Sequence, residues 1–149
     1  MDDYDKRILR ALVKNGRMTW LELADLVALS PSAVQRRVQA LQQAGYIHNF
    51  SVQLDQAAMG NQVRAFVQVK VERHKLDQAN EFRQAVLDYS EVQSCHKLAG
   101  SVDYMLDVIT ADLGSFGAFI ETKLLSMAGV TDASSHIVLD EVKPFTPYV

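Results

Sequence analysis

Residues 20–47 constrain the fold of this chain most, because they predict two short helices joined by a tight turn. A helix is expected to begin at Pro31, since the Ser30 hydroxyl can accept a backbone N–H of the first turn and proline needs no donor there. Gly45 is placed as its C-terminal stop. The preceding helix repeats apolar residues at helical spacing: Leu21, Leu23, Ala24 and Val27. The stretch therefore predicts a helix-turn-helix unit.

The second helix of this pair has one apolar and one polar face. Val34, Val38 and Leu41 lie at i, i+4 and i+7 and share the face expected to pack. On the polar side, a guanidinium can bind guanine or phosphate, a glutamine amide matches the adenine edge, and a serine hydroxyl suits a phosphate oxygen. The candidate DNA-binding residues are Ser30, Ser32, Gln35, Arg36, Arg37 and Gln39.

The polar side chains alone also fit an ordinary amphipathic helix with one solvated face. The neighbouring segments favour DNA, because residues 1–15 supply the third helix that places the second helix of such a unit in a major groove. Arg37 lies beside the packed face and is expected to pair with either an acid or a phosphate. The apolar stripe of the N-terminal helix is expected to be Ile8, Leu9, Leu12 and Val13.

Composition is that of a soluble globular protein, with 48% hydrophobic and 22% charged residues among 149. Its acidic start, MDDYDKR, lacks the apolar region of a signal peptide, and no apolar run approaches the roughly 20 residues of a membrane span. We therefore expect a cytoplasmic protein. The single cysteine, Cys95, excludes an internal disulfide and is predicted to be a small core residue in a strand.

The net charge of −3 is unusual for a nucleic-acid-binding chain. Residues 1–60 carry seven lysines and arginines against six acids, and the remainder carries eight against twelve. Neutralisation of phosphates supplies most non-specific affinity for DNA. One copy should therefore bind DNA weakly, and we infer that several copies act together.

The chain beyond residue 49 alternates between strand and helix patterns. Residues 50–55 alternate as a strand, and residues 57–62 are predicted to break it as a hinge. The pattern that follows predicts an α+β, ferredoxin-like β-α-β-β-α-β arrangement, with both helices on one face of an antiparallel sheet. The predicted strands are 65–72, 91–99, 102–110 and 130–142, and the predicted helices are 76–87 and 113–127.

Apolar residues are expected on both faces of this sheet, which implies a partner subunit. They are Val67, Val69 and Val71 on one strand, and Met105, Leu106, Val108 and Ile109 on another. A helical stripe nearby is predicted to be core or dimer packing rather than a ligand groove. It consists of Phe116, Phe119, Ile120, Leu124 and Met127.

The turn between the predicted strands 91–99 and 102–110 is a second candidate site. Gly100 lets backbone N–H groups approach an anion, and Asp103 offers a partner for an ammonium group, so both ends of a free amino acid find a partner. On the residues alone, a Gly-Ser pair between strands favours an ordinary turn. No metal is predicted, because the four histidines lack the spacing of a metal site: His48, His74, His96 and His136.

Four segments together resemble the Lrp/AsnC family of bacterial and archaeal transcription regulators, and they span nearly the whole chain. They are YDKRILRAL, NGRMTWLELADLVALSPSAVQRRVQALQQAGYI, AGSVDYML and SMAGVTDASSHIVLDEVK. The resemblance implies a winged helix-turn-helix DNA-binding domain over residues 1–48. It also implies a strand and hinge linker over 49–63 and a ferredoxin-like ligand-sensing and oligomerisation domain over 64–149.

In this family the loop between the strands that correspond to 91–99 and 102–110 typically has the sequence Gly-Asp-x-Asp-Tyr and lines an amino-acid site at the contact between dimers. Ser101 replaces the usual first acid, which leaves the identity of the effector open. The resemblance implies a homodimer that assembles into octamers, no cofactor, and an amino-acid effector. The implied effector-binding residues are Gly100, Ser101, Val102, Asp103, Tyr104, Ser135 and His136.

We therefore expect a sequence-specific DNA-binding transcription regulator controlled by a small molecule. The alternative is an amino-acid-sensing regulatory module that acts through protein partners, which the weak charge of the N-terminal part keeps open. An enzyme is disfavoured, because the sequence has no phosphate-cradling glycine motif, no metal set and no nucleophile with a paired base. The target genes and the direction of regulation do not follow from the sequence.

Overall fold

The computed structural model describes residues 1–72 and 76–149, so His74 lies outside the described residues. These residues form two compact units: residues 1–53 together with 143–149, and residues 54–142. In the two described ranges, every helix is too short or too polar to cross a membrane.

Three helices build the first unit: α1 (Asp3–Lys14), α2 (Trp20–Val27) and α3 (Pro31–Gln43). Each helix begins after a capping residue whose side chain accepts a backbone N–H of the first turn. The capping residues are Asp2, Thr19 and Ser30 respectively. The three helices bury one shared core, which consists of Ile8, Ala11, Leu23, Ala24, Val27, Val34, Val38 and Leu41.

Two expectations about this core are wrong. Leu21 is 62% exposed, because a residue two positions from Leu23 points about 200° away from it on a helix. Val13 is also exposed, and Ala11 takes its place in the core. The predicted stop at Gly45 is confirmed, since Gly45 has φ +77° and the Tyr46 N–H reaches back to the Leu41 carbonyl at 2.9 Å.

The strand predicted over residues 50–55 is not formed. Phe50 and Val52 are exposed, and these residues pair with no strand in the part of the chain that the structure describes. Alternation alone does not make a strand, because the backbone of a strand needs a second strand to bond. At the other end of the chain, Arg10 Nε donates to the Val149 carbonyl at 3.3 Å within the same unit.

The second unit contains a four-stranded antiparallel sheet in the order β2-β3-β1-β4. Its elements are β1 (Val63–Val71), α4 (Leu76–Asp88), β2 (Val92–Lys97), β3 (Tyr104–Thr110), α5 (Leu113–Phe119), a π-helical turn (Ile120–Leu124) and β4 (Val130–Ile137). The predicted α+β class and the β-α-β-β-α-β order are confirmed. Strands β1 and β3 lie in the middle of the sheet, and β2 and β4 form its edges.

One face of the sheet packs on the helices, with Val67 and Leu106 against Phe82 and Phe119 in a single cluster. Apolar side chains do lie on the second face, but Val67 and Val69 are not among them, because both point to the helices. The open face is mixed. It carries Arg64, Phe66, Gln68 and Lys70 from β1, and Met105, Asp107 and Ile109 from β3.

Several element limits differ from the prediction. The helix predicted over 113–127 is α-helical only to Phe119 and ends at Leu124 after the π-helical turn, where the Thr122 hydroxyl donates to the Ala118 carbonyl at 2.7 Å. Strand β3 begins at Tyr104 and β4 ends at Ile137. Cys95 is exposed rather than buried, because β2 is an edge strand. The predicted burial of the helical stripe is confirmed for Phe116, Phe119 and Leu124.

Candidate DNA-binding helix and effector turn

Helix α3 is held on its inner side and capped at its start. Val34 and Val38 are fully buried against the other two helices. The Ser30 Oγ accepts the Ala33 N–H at 3.2 Å and lies 3.2 Å from the Ser32 Oγ. Ser30 therefore acts in this structure as the N-cap, which closes one of the open donors of the first turn.

The outer face of α3, defined as Ser32, Gln35, Arg36 and Gln39, is exposed along its whole length. Within residues 1–72 and 76–149, no ion pair or hydrogen bond engages the side chains of Gln35, Arg36 and Gln39. A guanidinium, two amides and a hydroxyl thus stand on one side of a well-anchored helix. These groups match the donors and acceptors of base edges and phosphates.

Arg37 is engaged differently. Its Nη1 donates to Asp2 Oδ2 and to Asp5 Oδ1, each at 2.8 Å, and its guanidinium carbon lies 5.5 Å from the centre of the Tyr4 ring. The hydrogen bonds to Asp5 and Asp2 raise the pKa of the Arg37 guanidinium above its usual value. The sequence leaves either an acid or a phosphate as the partner of Arg37, and in the structure Arg37 pairs with acids.

The first unit is more basic than a simple division of the sequence indicates. It holds eight lysines and arginines against five acids, because Asp55 falls in the second unit and Lys143 in the first. Some of these cations also hold the unit together: Arg7 Nη2 donates to the Leu26 carbonyl at the end of α2, at 2.7 Å. A cation there also complements the helix dipole.

The turn between β2 and β3 is anchored by its last two residues. The Asp103 N–H donates to the Val69 carbonyl, and Asp103 Oδ2 accepts the Val71 N–H, each at 3.0 Å. Asp103 is 9% exposed, and the buried Tyr104 ring lies 4.8 Å from the Phe82 ring. Asp103 and Tyr104 therefore attach the turn to the sheet and the core, whereas Gly100 and Ser101 are exposed.

The two candidate effector residues on β4 do not converge within one chain. Ser135 pairs with Val67, whose side chain faces the helices, and His136 pairs with Phe66 on the open face. Successive residues of a strand point to opposite faces of the sheet. Both side chains are exposed, because β4 is an edge strand.

Two family models match this chain. Residues 1–48 match a winged helix-turn-helix DNA-binding domain, and residues 64–148 match the Lrp/AsnC ligand binding domain. The chain belongs to the Lrp/AsnC family. The predicted resemblance is thereby confirmed, as is the prediction of a DNA-binding transcription regulator.

Known Lrp/AsnC proteins resemble this regulator over almost its full length. It is 34% identical to the Bkd operon transcriptional regulator of Pseudomonas aeruginosa, over 95% of this chain and 93% of that protein. It is 32% identical to the leucine-responsive regulatory protein of Escherichia coli, over 96% and 87% of the two chains. A Neisseria meningitidis transcriptional regulator solved as an L-Met complex aligns with a TM-score of 0.93 and 38% identity, covering 97% of this chain and 93% of that one.

Sequence reasoning missed the partners of Arg37 in this Lrp/AsnC regulator. A signal for part of the arrangement was present, since Asp2 and Asp5 have the spacing of a capping box at the start of α1. The contact with Arg37 spans more than 30 residues, and no local pattern predicts it. Sequence reasoning also missed that the Asp103 carboxylate binds the backbone of β1.

Proposed function

We propose that this Lrp/AsnC regulator places α3 in the major groove and contacts base edges through Gln35, Arg36 and Gln39, with Ser32 near a phosphate. The observation that carries the proposal is the exposed outer face of α3, where the guanidinium of Arg36 is not engaged by any residue that the structure describes. An arginine in such a position typically binds guanine O6 and N7. Ser30 contributes through the cap of α3.

We further propose that an amino acid controls this regulator by binding at the turn of residues 100–104. The Neisseria meningitidis regulator, which was solved with L-Met, supports an amino acid as the effector class. Asp103 and Tyr104 hold the turn in place, and the exposed Ser101 hydroxyl lies beside them as a group for the ligand to meet. Glycine at position 100, with φ +146°, lets the backbone of the turn approach an anion closely.

The proposed site is shared between subunits of a homodimer that assembles into octamers. Ser135 and His136 point to opposite faces of β4, so the two side chains would reach a ligand from different subunits. Sedimentation velocity over a range of protein concentrations measures the assembly. A protein that stays monomeric with and without amino acids would contradict this part of the proposal.

Fluorescence anisotropy with DNA from the upstream region of the regulator's own gene tests the outer face of α3. Arg36→Ala is expected to weaken binding by about 1–3 kcal/mol, since a base contact is lost. Arg83→Ala is the matched control, because it removes the same charge from the exposed surface of α4 in the second unit. Equal affinity of the Arg36→Ala variant and the wild type would remove Arg36 from the DNA interface.

The same measurement, repeated with a panel of amino acids, tests the effector. One amino acid is expected to shift the DNA affinity, and Ser101→Asp should change the concentration at which it acts, because an added carboxylate attracts the ammonium group. Thr131→Asp adds the same charge at an exposed position of β4 and serves as the control. The absence of any response to the panel, together with no heat of binding in calorimetry, would overturn the effector proposal.

A further inference from the structure

Two aspartates at the start of α1 form a closed hydrogen-bonded ring with Arg37 of α3. The Asp2 N–H donates to Asp5 Oδ2 at 2.8 Å, and the Asp5 N–H donates to Asp2 Oδ1 at 2.9 Å. The remaining oxygens, Asp2 Oδ2 and Asp5 Oδ1, each accept from Arg37 Nη1 at 2.8 Å. Every carboxylate oxygen of the pair therefore has a donor. The cap of α1 and its link to α3 thus belong to one hydrogen-bond network.

Arg37 directly follows Arg36 in α3, about 100° further round the helix. A link from Arg37 to α1 therefore limits how far α3 can rotate about its own axis, which sets where the outer face points. We propose that Arg37 is a positioning residue: through Asp2 and Asp5 it fixes the rotation of α3, and it does not itself contact DNA. This inference rests on the proposed role of the outer face of α3.

The surroundings of Arg37 favour this role over a phosphate contact. Its side chain is 30% exposed and that of Asp5 is 14% exposed, and the Tyr4 ring lies against the guanidinium. Turning towards DNA would break two charge-assisted hydrogen bonds in exchange for one phosphate. It would also leave two carboxylates without their cation on a surface that approaches a polyanion.

The sign of one substitution separates the two roles. Asp5→Asn removes a negative charge from a DNA-binding unit, which by itself favours DNA binding. If Arg37 acts through Asp5, the same substitution should instead weaken binding by about tenfold, as coupled residues of one network do. Asp3→Asn is the matched control, since Asp3 carries the same charge in the same turn of α1 and forms neither a hydrogen bond nor an ion pair with Arg37. We expect its affinity to equal or exceed that of the wild type.

A double-mutant cycle with Arg37→Met completes the test, because this substitution leaves the carboxylates of the α1 cap in place. Binding to the upstream DNA is followed by anisotropy over a series of salt concentrations, well below the thermal midpoint of every variant. We expect Arg37→Met to weaken binding by about tenfold with an unchanged salt dependence. The double variant, with Arg37→Met and Asp5→Asn together, is expected to bind no more weakly than either single variant. A purely stabilising role would lower the thermal midpoint and leave the affinity of the folded protein unchanged, which would overturn the proposal.

A phosphate contact predicts a different pattern. Arg37→Met would then reduce the slope of log affinity against log salt by about 0.9, and Asp5→Asn would leave binding equal or tighter. That result would overturn the positioning role, even where Arg36→Ala still weakens binding as the proposed function requires. Unchanged binding of the Arg36→Ala variant, by contrast, would contradict the proposed function itself.

Discussion

Asp103 and Tyr104 are residues of the candidate effector turn whose side chains serve the scaffold. The carboxylate of Asp103 satisfies a backbone N–H of β1, and the ring of Tyr104 packs on Phe82. A buried polar group needs such a partner, because leaving the Val71 N–H unsatisfied would cost about 1–3 kcal/mol. A residue of a ligand-binding motif can therefore be required for the shape of the loop rather than for contact with the ligand.

Phe82 packs against Tyr104, the last residue of this turn, and this contact leads to a prediction on stability. Phe82 is fully buried, so Phe82→Ala is expected to lower the free energy of unfolding by about 3–5 kcal/mol. Leu87→Ala in the same helix is the control, since Leu87 is 76% exposed and should change stability by about 0.5 kcal/mol or less. Chemical denaturation followed by circular dichroism measures both. A small and equal effect of the two substitutions would contradict the described core.

At the scale of elements, the helix ends of the first unit depend on backbone conformations that few residues adopt easily. Ala28, in the turn between α2 and α3, has φ +57°, and Gly45, after α3, has φ +77°. An alanine in this left-handed region is strained by about 1–2 kcal/mol, whereas glycine is not. The two turns that orient α3 thus contain one strained and one relaxed residue.

Exchanging the residue types at these turns should have opposite effects. Ala28→Gly is expected to raise the free energy of unfolding by about 0.5–1 kcal/mol, since relief of strain exceeds the added entropy of the unfolded chain. Gly45→Ala should lower it by about the same amount, although no atom lies within 4 Å of the new methyl group. Thermal unfolding of both variants beside the wild type checks the pair. Two changes of the same sign would exclude this explanation.

The cap of α2 should make part of the stability depend on pH. The hydrogen bond from the Thr19 backbone N–H lowers the pKa of Glu22 below 4.5. Because the folded-state pKa is the lower one, this stabilisation is present above about pH 4.5 and is lost as the pH falls through the lowered value. The gap in thermal midpoint between the wild type and Glu22→Gln should therefore be largest at neutral pH and close in acid.

Asp25→Asn provides the control for this pH dependence. Asp25 carries the same charge near the other end of α2, where a negative charge opposes the helix dipole. Its removal is therefore expected to leave the thermal midpoint at neutral pH equal or higher. A gap for Glu22→Gln that persists unchanged in acid would show that the carboxylate charge does not stabilise the cap.

Elements with strong local periodicity were predicted nearly to their limits, and features that depend on distant residues were not. The helix from Pro31 and the strand around Val67 needed only their own sequence pattern. The prediction of a strand over residues 50–55 is wrong, because a strand forms only where a second strand can bond to it. Exposure of Cys95 depends on which strand lies at the edge of the sheet, and the ion pair of Arg37 depends on a helix far away in the sequence.

On the scale of the whole molecule, a weakly basic unit is joined to an acidic one. The first unit holds eight basic and five acidic residues, and the second holds seven and thirteen. The second unit therefore adds no net attraction for DNA, and a small positive excess on the first unit neutralises few phosphates. Tight binding is therefore expected to require two DNA-binding units on one DNA, as in the proposed homodimer.

This requirement predicts a dependence on the spacing of the DNA half-sites. A two-fold dimer should bind half-sites about 10 base pairs apart or a multiple of this, so inserting about 5 base pairs should reduce the affinity towards that of a single half-site. Anisotropy with the two DNAs measures the effect, and a DNA of unchanged length with altered bases between the half-sites is the control. Equal affinity for the original and the lengthened DNA would exclude this geometry.

The grouping of residues 143–149 with the N-terminal unit affects how regulators of this kind can be recombined. A chimera intended to join the operator preference of one protein to the effector response of another would ordinarily be made with a single crossover near residue 53. Such a chimera would take Arg10 from one parent and the residue at position 149, its hydrogen-bond partner, from the other. An exchange with two crossovers, one before residue 54 and one after residue 142, would transfer the whole unit.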